Sequence, residues 1–482
     1  MELAPLDYKS VQTGLITEGA LSEHRMPLDA VTESLNFHFD KIGAATLRKG
    51  TTRLGDALSG NILGLYEFRD SGSGTNNQIL LANSTTVKYL NGSSVWTNKR
   101  TGLTAGKTRF TTFLDYVWMV NGTDATAIWD GNTGNNFLTN GNASGAPVGK
   151  FIDNFRSRVW ITGNSTFPDR IYFSSLPSAE ATPVVTWNTD VTTGDWIDIS
   201  PSDGENITGL KRAKNTLLIF KNNHIYRVYS VQQTDPDPAI NVGTYSNESI
   251  VETKDGIYFH HPTGFYRYGY DGGVSEISKP ITDIARNISL SNYSNVAGWI
   301  ETSGDAVCWA LGNVTINGVT YNNLEVRYTI STQTWTHYSK PSQILCASRY
   351  NDGSTVYQLV GDNSGNVLKI NTGTDDNGTA ISYSLIHRWY TVDGQMSTRK
   401  NIEKLLFHHE GERGSNVQYQ IEDDPVSDWT KPLGQLDKSC TLLKCSIKGR
   451  KFRPRISGSS TGEPFTYSGF EIIKASSELI NV

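Results

Sequence analysis

Three cations fall within six residues in Leu47-Arg48-Lys49-Gly50-Thr51-Thr52-Arg53, the densest such cluster near the start of the 482-residue chain. If buried, Arg48, Lys49 and Arg53 require carboxylate partners, because an unpaired interior charge costs roughly 3–5 kcal/mol. Other groups with chemical potential resolve more simply. His260-His261 and His408-His409 are adjacent pairs. Adjacent residues on a strand point to opposite faces, so each pair offers at most one ligand to a given metal site. Gly361-Asp362-Asn363-Ser364-Gly365-Asn366 alternates oxygen donors but lacks a closing glutamate, and reads as a tight turn. Gly145-Ala-Pro-Val-Gly149-Lys150 is one residue short of a phosphate loop and places Phe151 where Ser or Thr is needed. Cys308 and Cys346 read as buried thiols, whereas Cys440 and Cys445 read as free thiols, with a local bridge or a metal role as the alternative.

Hydrolysis of a glycosidic bond needs two flanking carboxylates. The acids of this chain sit mainly beside Gly or Asn in turns, where a carboxylate caps its own backbone. Thr374-x-Asp376-x-Gly378 matches part of the Asp-box of sialidase-like propellers, but Ala380-Ile381 replaces its Thr-Trp ending. The 11 Trp, 22 Tyr and 17 Phe could stack on sugars, although in a layered β-fold such rings mainly fill the gaps between layers. Neither a catalytic residue nor a cofactor site is expected, and a glycan-binding or glycan-hydrolysing propeller remains the enzymatic or lectin-like alternative.

The elements that must position these groups follow one pattern. Leu65, Trp118, Trp160, Leu218, Tyr258, Cys308 and Tyr357 anchor β-branched and aromatic runs that recur every 40 to 58 residues. Each is followed by a polar turn and a second aromatic strand, the spacing of four-stranded propeller blades. The dipeptides Asn91-Gly92, Asp130-Gly131, Asp271-Gly272, Asn317-Gly318 and Asp352-Gly353 are hairpin signals. Pro280 with Ile281, Ile284, Ala285 and Ile288 predicts one short helix, a connector across the ring. The fold expected is all-β: an N-terminal interface segment (1–55), irregular but for a strand at Leu35-Asn36-Phe37-His38-Phe39, a β-propeller of about six to eight blades (56–395) and a C-terminal β-sandwich-like domain (396–482) with strands at Lys404–His409, Val417–Asp423, Thr441–Lys448, Lys451–Ile456 and Phe470–Lys474.

Charge and composition narrow the function classes. A net charge of −5 argues against a nucleic-acid binder working through a basic face. Four cysteines are too few for a disulfide scaffold. With no apolar leader or spanning run, a soluble protein made in a cytoplasm, without membrane insertion, is expected.

Several motifs, in order, resemble the tail nozzle or tail accessory propellers of short-tailed, P22-like bacteriophages. Ser34-Leu35-Asn36-Phe37 and Leu47–Arg53 resemble that family's Asn-containing strand and its Arg-Pro-Gly turn, with Lys49 in place of proline. Asn154–Trp160 with Phe167-Pro168-Asp169-Arg170–Ser174 resembles its Arg-rich and Pro-Asp-Arg strands, and Asp203-Gly204-x-x-Ile207-Thr208-Gly209-Leu210 followed by Leu217–Lys221 and Ile225-Tyr226 is the most specific stretch. Ile277-Ser278-Lys279-Pro280-Ile281 completes the series. The resemblance covers roughly residues 30 to 300. It implies a non-enzymatic virion component: a homohexameric ring below the portal and head-to-tail adaptor, which extends the DNA ejection channel and anchors needle, fibre or spike proteins. Arg48, Lys49 and Arg53 would then lie at a subunit or adaptor interface. Six copies would carry a formal charge of about −30, and a mildly acidic lumen would let genomic DNA slide through without sequence-specific binding. A connector or baseplate propeller of a long-tailed phage is the related alternative.

Overall fold

The computed structural model describes residues 2–17, 26–69, 78–180, 184–233, 237–316, 318–395, 397–411, 414–422, 424–425, 428–437, 439–460 and 464–479. Asn317 of the expected Asn317-Gly318 turn lies outside them.

The chain is a β-propeller joined to a β-sandwich. Six small sheets of three or four antiparallel strands stand in a ring. The first runs through Ile62–Phe68, Gln78–Asn83, Thr86–Leu90 and Trp96–Arg100. The next four begin at Arg109, Phe151, Gly209 and Val251, and the last is built on Ile344–Asn351. Between the fifth and last of these small sheets stand Ala297–Ile300, Ala306–Ile316, Val319–Thr329 and Thr334–Ser339, the end of a ten-stranded sheet that runs on into the sandwich. The propeller therefore has six self-contained blades and a further sector shared with its neighbour domain.

Strand alternation explains why the ring holds. Leu217 and Ile219 pack back against Trp160 and Ile171 of the preceding sheet, while Leu218 and Phe220 pack forward against Ile257 and Phe259. The same division places Val117 and Met119 with Phe68 and Leu80, and Trp118 with Ile152 and Ile161. Period-two side chains thus feed two hydrophobic layers from one strand. The helix is Thr282–Arg286, preceded by a short turn at Lys279–Ile281. It does not cross the ring: Ile281, Ile284, Ala285 and Ile288 fill the gap between the sheet of Tyr258 and Phe265 and that of Trp309 and Trp335.

Three further features differ from the sequence reading. Leu65 lies on the innermost strand of its sheet, whereas Trp118, Trp160, Leu218, Tyr258, Cys308 and Tyr357 lie on second strands. The equivalent second strand of the first blade is Gln78–Asn83. Hydrophobic spacing marks a buried strand but not its place in the blade. The N-terminal segment is also more regular than expected, with strands on both sides of the expected one, which appears as Phe37–Lys41. Ala30–Leu35, Phe37–Lys41 and Ala44–Leu47 are strands of the sandwich, and Thr51–Arg53 pairs with Val367–Ile370 as the outermost strand of the last blade. The N-terminus therefore closes the ring. Ile381–His387 already belongs to the sandwich, ahead of the expected boundary at 395. The other expected sandwich strands appear as Thr398–Glu410, Ser415–Ile421, Cys440–Gly449, Phe452–Ser460 and Thr466–Leu479. Phe37, Leu405, Phe407, Phe452, Phe470 and Tyr467 centre their common core.

Candidate functional site

The turn that follows Leu47 lies where sandwich and propeller meet. Gly50 permits this, because a Cβ there would stand 1.8 Å from the carbonyl oxygen of Asp375. Arg48 is buried at 4 % exposure. Its guanidinium donates to both carboxylate oxygens of Asp376, at 2.9 and 2.5 Å, to Asn36 Oδ1 at 2.7 Å and to the carbonyls of Lys49 and Ser339. Arg48 thus has its acid within its own chain, and the expectation that it pairs with a neighbouring subunit is corrected. Burial alone would raise the Asp376 carboxyl, but the Arg48 hydrogen bonds and the nearby Lys340 charge hold it below the usual range. The same contact answers the Asp-box reading of residues 374–378, since that carboxylate is committed to a structural pair. Lys49 and Arg53 differ from Arg48: both are exposed.

Near this pair lies a seam of charge along the shared sector, whereas the gap between that sector and the last blade holds apolar side chains, Trp299, Cys308 and Ala310 against Ile344, Val360 and Leu368. Arg327 makes two-pronged contacts with Asp40 of the sandwich, at 2.8 and 3.0 Å, and with Glu301 of the ring, at 3.0 Å each. Lys340 and Glu325 stand 3.8 Å apart. Burial pushes the lysine down and the glutamate up, each towards its neutral form. This seam ties the two domains by polar contacts in a low-dielectric setting, where removing one partner is costly.

A second polar cluster lies at the propeller axis. Glu248, from the short turn Asn247–Ser249, receives Lys107 Nζ at 2.9 Å and Arg109 Nε at 2.6 Å. These cations lead into the second sheet, whereas Glu248 leads into the fifth; sheets so far apart in the ring can meet only near its centre. Lys107 also donates to the Ser294 carbonyl and Arg109 to that of Lys150. Burial would raise the Glu248 carboxyl, but Arg109 and Lys107 together hold it far below the usual carboxylate range. The axis of one propeller is therefore pinned across by side chains.

The remaining motifs converge in space. Lys221, fully buried, donates to Asp169 Oδ1 at 2.9 Å, to both oxygens of Asp203 at 2.8 Å and to the Ser200 carbonyl. Arg170 pairs with Asp198 and lies over the Trp196 and Phe167 rings. The Pro-Asp-Arg strand, the Asp203-Gly204 turn and the Ile-Phe-Lys strand are parts of one interlock between the third and fourth sheets. Sequence reading ranked these segments by likeness and missed the ion pairs, because their partners lie 18 to 52 residues apart. Asp362 binds the amides of Ser364 and Asn366, so the residues 361–366 form the tight turn expected. His260 is buried and His261 bonds to Thr263 and Asn223; His408 meets Glu471 and His409 meets Thr441. All four cysteines are free. Cys440 and Cys445 lie on one strand, whose five-residue separation of about 17 Å exceeds disulfide reach.

On the face where inner strands turn into second strands, an open groove of 310 Å³ is lined by Phe155, Arg156, Arg212, Lys214, Asn215 and Glu252. Arg156 and Lys214 adopt left-handed backbone conformations, with φ of 46° and 51°, in turns that carry no glycine. Among the described residues, no group of three or more His, Cys, Asp or Glu is placed to hold a metal ion, and no helix is long and apolar enough to cross a membrane.

No family model and no curated protein matches the chain. Among solved structures, the extracellular domain of a hybrid two component system from B. thetaiotaomicron aligns at 10 % identity and a TM-score of 0.46, over 77 % of this chain. The chain spans 45 % of that protein's length. Virginiamycin B lyase from Staphylococcus aureus aligns at 15 % identity and a TM-score of 0.41, over 64 % of this chain and 96 % of that one. YCF48 from Cyanidioschyzon merolae aligns at 11 % identity and a TM-score of 0.40, over 67 % of this chain and 98 % of that one. At these identities the likeness concerns architecture and says nothing of activity.

Proposed function

We propose that this protein is a structural tail component of a bacteriophage virion, a nozzle that forms a ring beneath the portal and adaptor, extends the ejection channel and anchors needle, fibres or spikes. The observation that carries the reading is the convergence of the family-like motifs. Asn36 receives Arg48, and Asp169, Asp203 and Lys221 form one cluster. Motifs that resemble the nozzle family in order also cooperate in space as fold staples, as a shared scaffold requires. The pinned propeller axis adds a constraint: DNA would pass through a channel enclosed by several copies, not through one propeller. Lys49 and Arg53, exposed beside the ring-closing strand, are the residues retained for contact with a neighbour or adaptor. Sequencing the DNA that flanks the gene tests the reading. Portal, terminase and adaptor genes nearby are the expected result; sugar transporters and glycan enzymes would overturn it in favour of a glycan-processing propeller.

A further inference from the structure

On the outer face of the sandwich, Cys440 stands opposite His408 in the ladder between Cys440–Gly449 and Thr398–Glu410. Its Sγ lies 3.5 Å from His408 Nδ1. The other ring nitrogen, Nε2, lies 2.6 Å from Glu471 Oε1 on the next strand. That carboxylate is met in turn by Lys9 Nζ at 2.8 Å. An acid that accepts the Nε2 proton leaves the Nδ1 lone pair facing the thiol, so the row has the order of nucleophile, base and orienting acid. The Lys9 hydrogen bond, then that of His408, keeps the Glu471 carboxyl below its usual range and therefore charged at neutral pH.

We propose that Cys440 is an activated surface thiol, with His408 as its base and Glu471 as the group that orients the base, and that it undergoes thiol–disulfide exchange with small disulfides, making it a site of S-thiolation. The Cys440 proton passes to His408 Nδ1. The thiolate attacks one sulfur of the disulfide, a new S–S bond forms to Sγ, and the old S–S bond breaks. The departing thiolate takes the proton from His408. Cys440 is oxidised and half of the incoming disulfide is reduced, so no further oxidant is needed.

The other cysteines give the contrast. Cys440 is exposed; Cys308 and Cys346 are buried and Cys445 is half-buried. Burial pushes the Cys445 thiol up to about 11 and that of Cys346 up to about 12, leaving both unreactive at neutral pH. The charged and titratable groups around the row are Asp7 and Lys9 on the N-terminal strand, Lys404, His409 and Glu410 beside His408, Asp437 and Lys444 beside Cys440, and Lys474 beyond Glu471. His409 faces the opposite side, towards Thr441.

The test is the rate of reaction of the native full chain with an aromatic disulfide, followed by absorbance from pH 5.5 to 9.5. The expected result is one fast thiol per chain, absent in Cys440→Ser. At pH 6.5, His408→Gln and His408→Ala should slow that thiol about fivefold, because the base that takes its proton is gone, and Glu471→Gln should slow it as well. A wild-type chain without a fast thiol overturns the proposal without recourse to any variant, as does a fast phase that persists in Cys440→Ser or is unchanged in both His408 variants.

Discussion

The buried Arg48–Asp376 pair is the residue on which sandwich and ring both depend. Arg48→Ala leaves a carboxylate without its main partner, and Asp376→Ala leaves a guanidinium; each should cost about 3–5 kcal/mol in urea unfolding. The double change to leucine at both positions should recover much of that loss, whereas an unchanged midpoint in the single variants would deny the pair its role. Buried histidines govern the acid response. Burial holds His260 and His387 down at about 3 and His337 at about 4. An unfolded histidine takes its proton near 6.5, so their stabilisation is complete above that pH and is lost as pH falls towards the folded values. Unfolding free energy should therefore drop by about 4 kcal/mol between pH 7.5 and 5.5, at about 1.4 kcal/mol for each histidine. A flat profile over that window would contradict their burial. Glu248 works at lower pH: its stabilisation is present above the unfolded carboxyl value of about 4.3 and disappears below it. Glu248→Gln should be less stable at pH 7 and show a shallower acid loss below pH 4.

At the scale of elements, the last blade is completed by Thr51–Arg53, which precedes the first blade in sequence. Closing a ring with strands from both ends of the chain joins its stability to that of the N-terminal segment. A fragment of residues 56–395 lacks this strand, Arg48 and the sandwich strands Ala30–Leu35 and Phe37–Lys41, and so leaves the closing seam bare. It should be insoluble or lack a cooperative thermal transition in circular dichroism, while the full chain unfolds as one unit. A fragment that melts cooperatively would show that the ring closes without the N-terminus. The propeller was legible because period-two apolar runs and Asp-Gly turns are local signals, and the sandwich strands after residue 398 were legible for the same reason. Of the N-terminal strands only Phe37–Lys41 was legible, through the alternation of Phe37-His38-Phe39. The others have partners hundreds of residues away, as in Leu47 bonding to Phe465, and their short runs carry no clear period of their own. The turns at Leu114-Asp115 and Arg156-Ser157 were hidden too, because both residues of each pair take positive φ without Asn or Gly.

At the scale of the whole molecule, the three-cation turn divides into two roles. Arg48 faces inward to Asp376, and only Lys49 and Arg53 are exposed to meet another chain. Charge reversal at both exposed positions should leave the unfolding free energy of the monomer within about 1 kcal/mol of the wild type, as for surface sites generally, while preventing attachment to a portal–adaptor complex in sedimentation. Normal attachment would remove these residues from the interface. The central claim is most directly tested by electron cryo-microscopy of phage particles produced with and without an intact gene. The account predicts six copies in one ring beneath the adaptor, and DNA-filled heads without a completed tail when the gene is disrupted. Complete, infectious particles without this protein would contradict it.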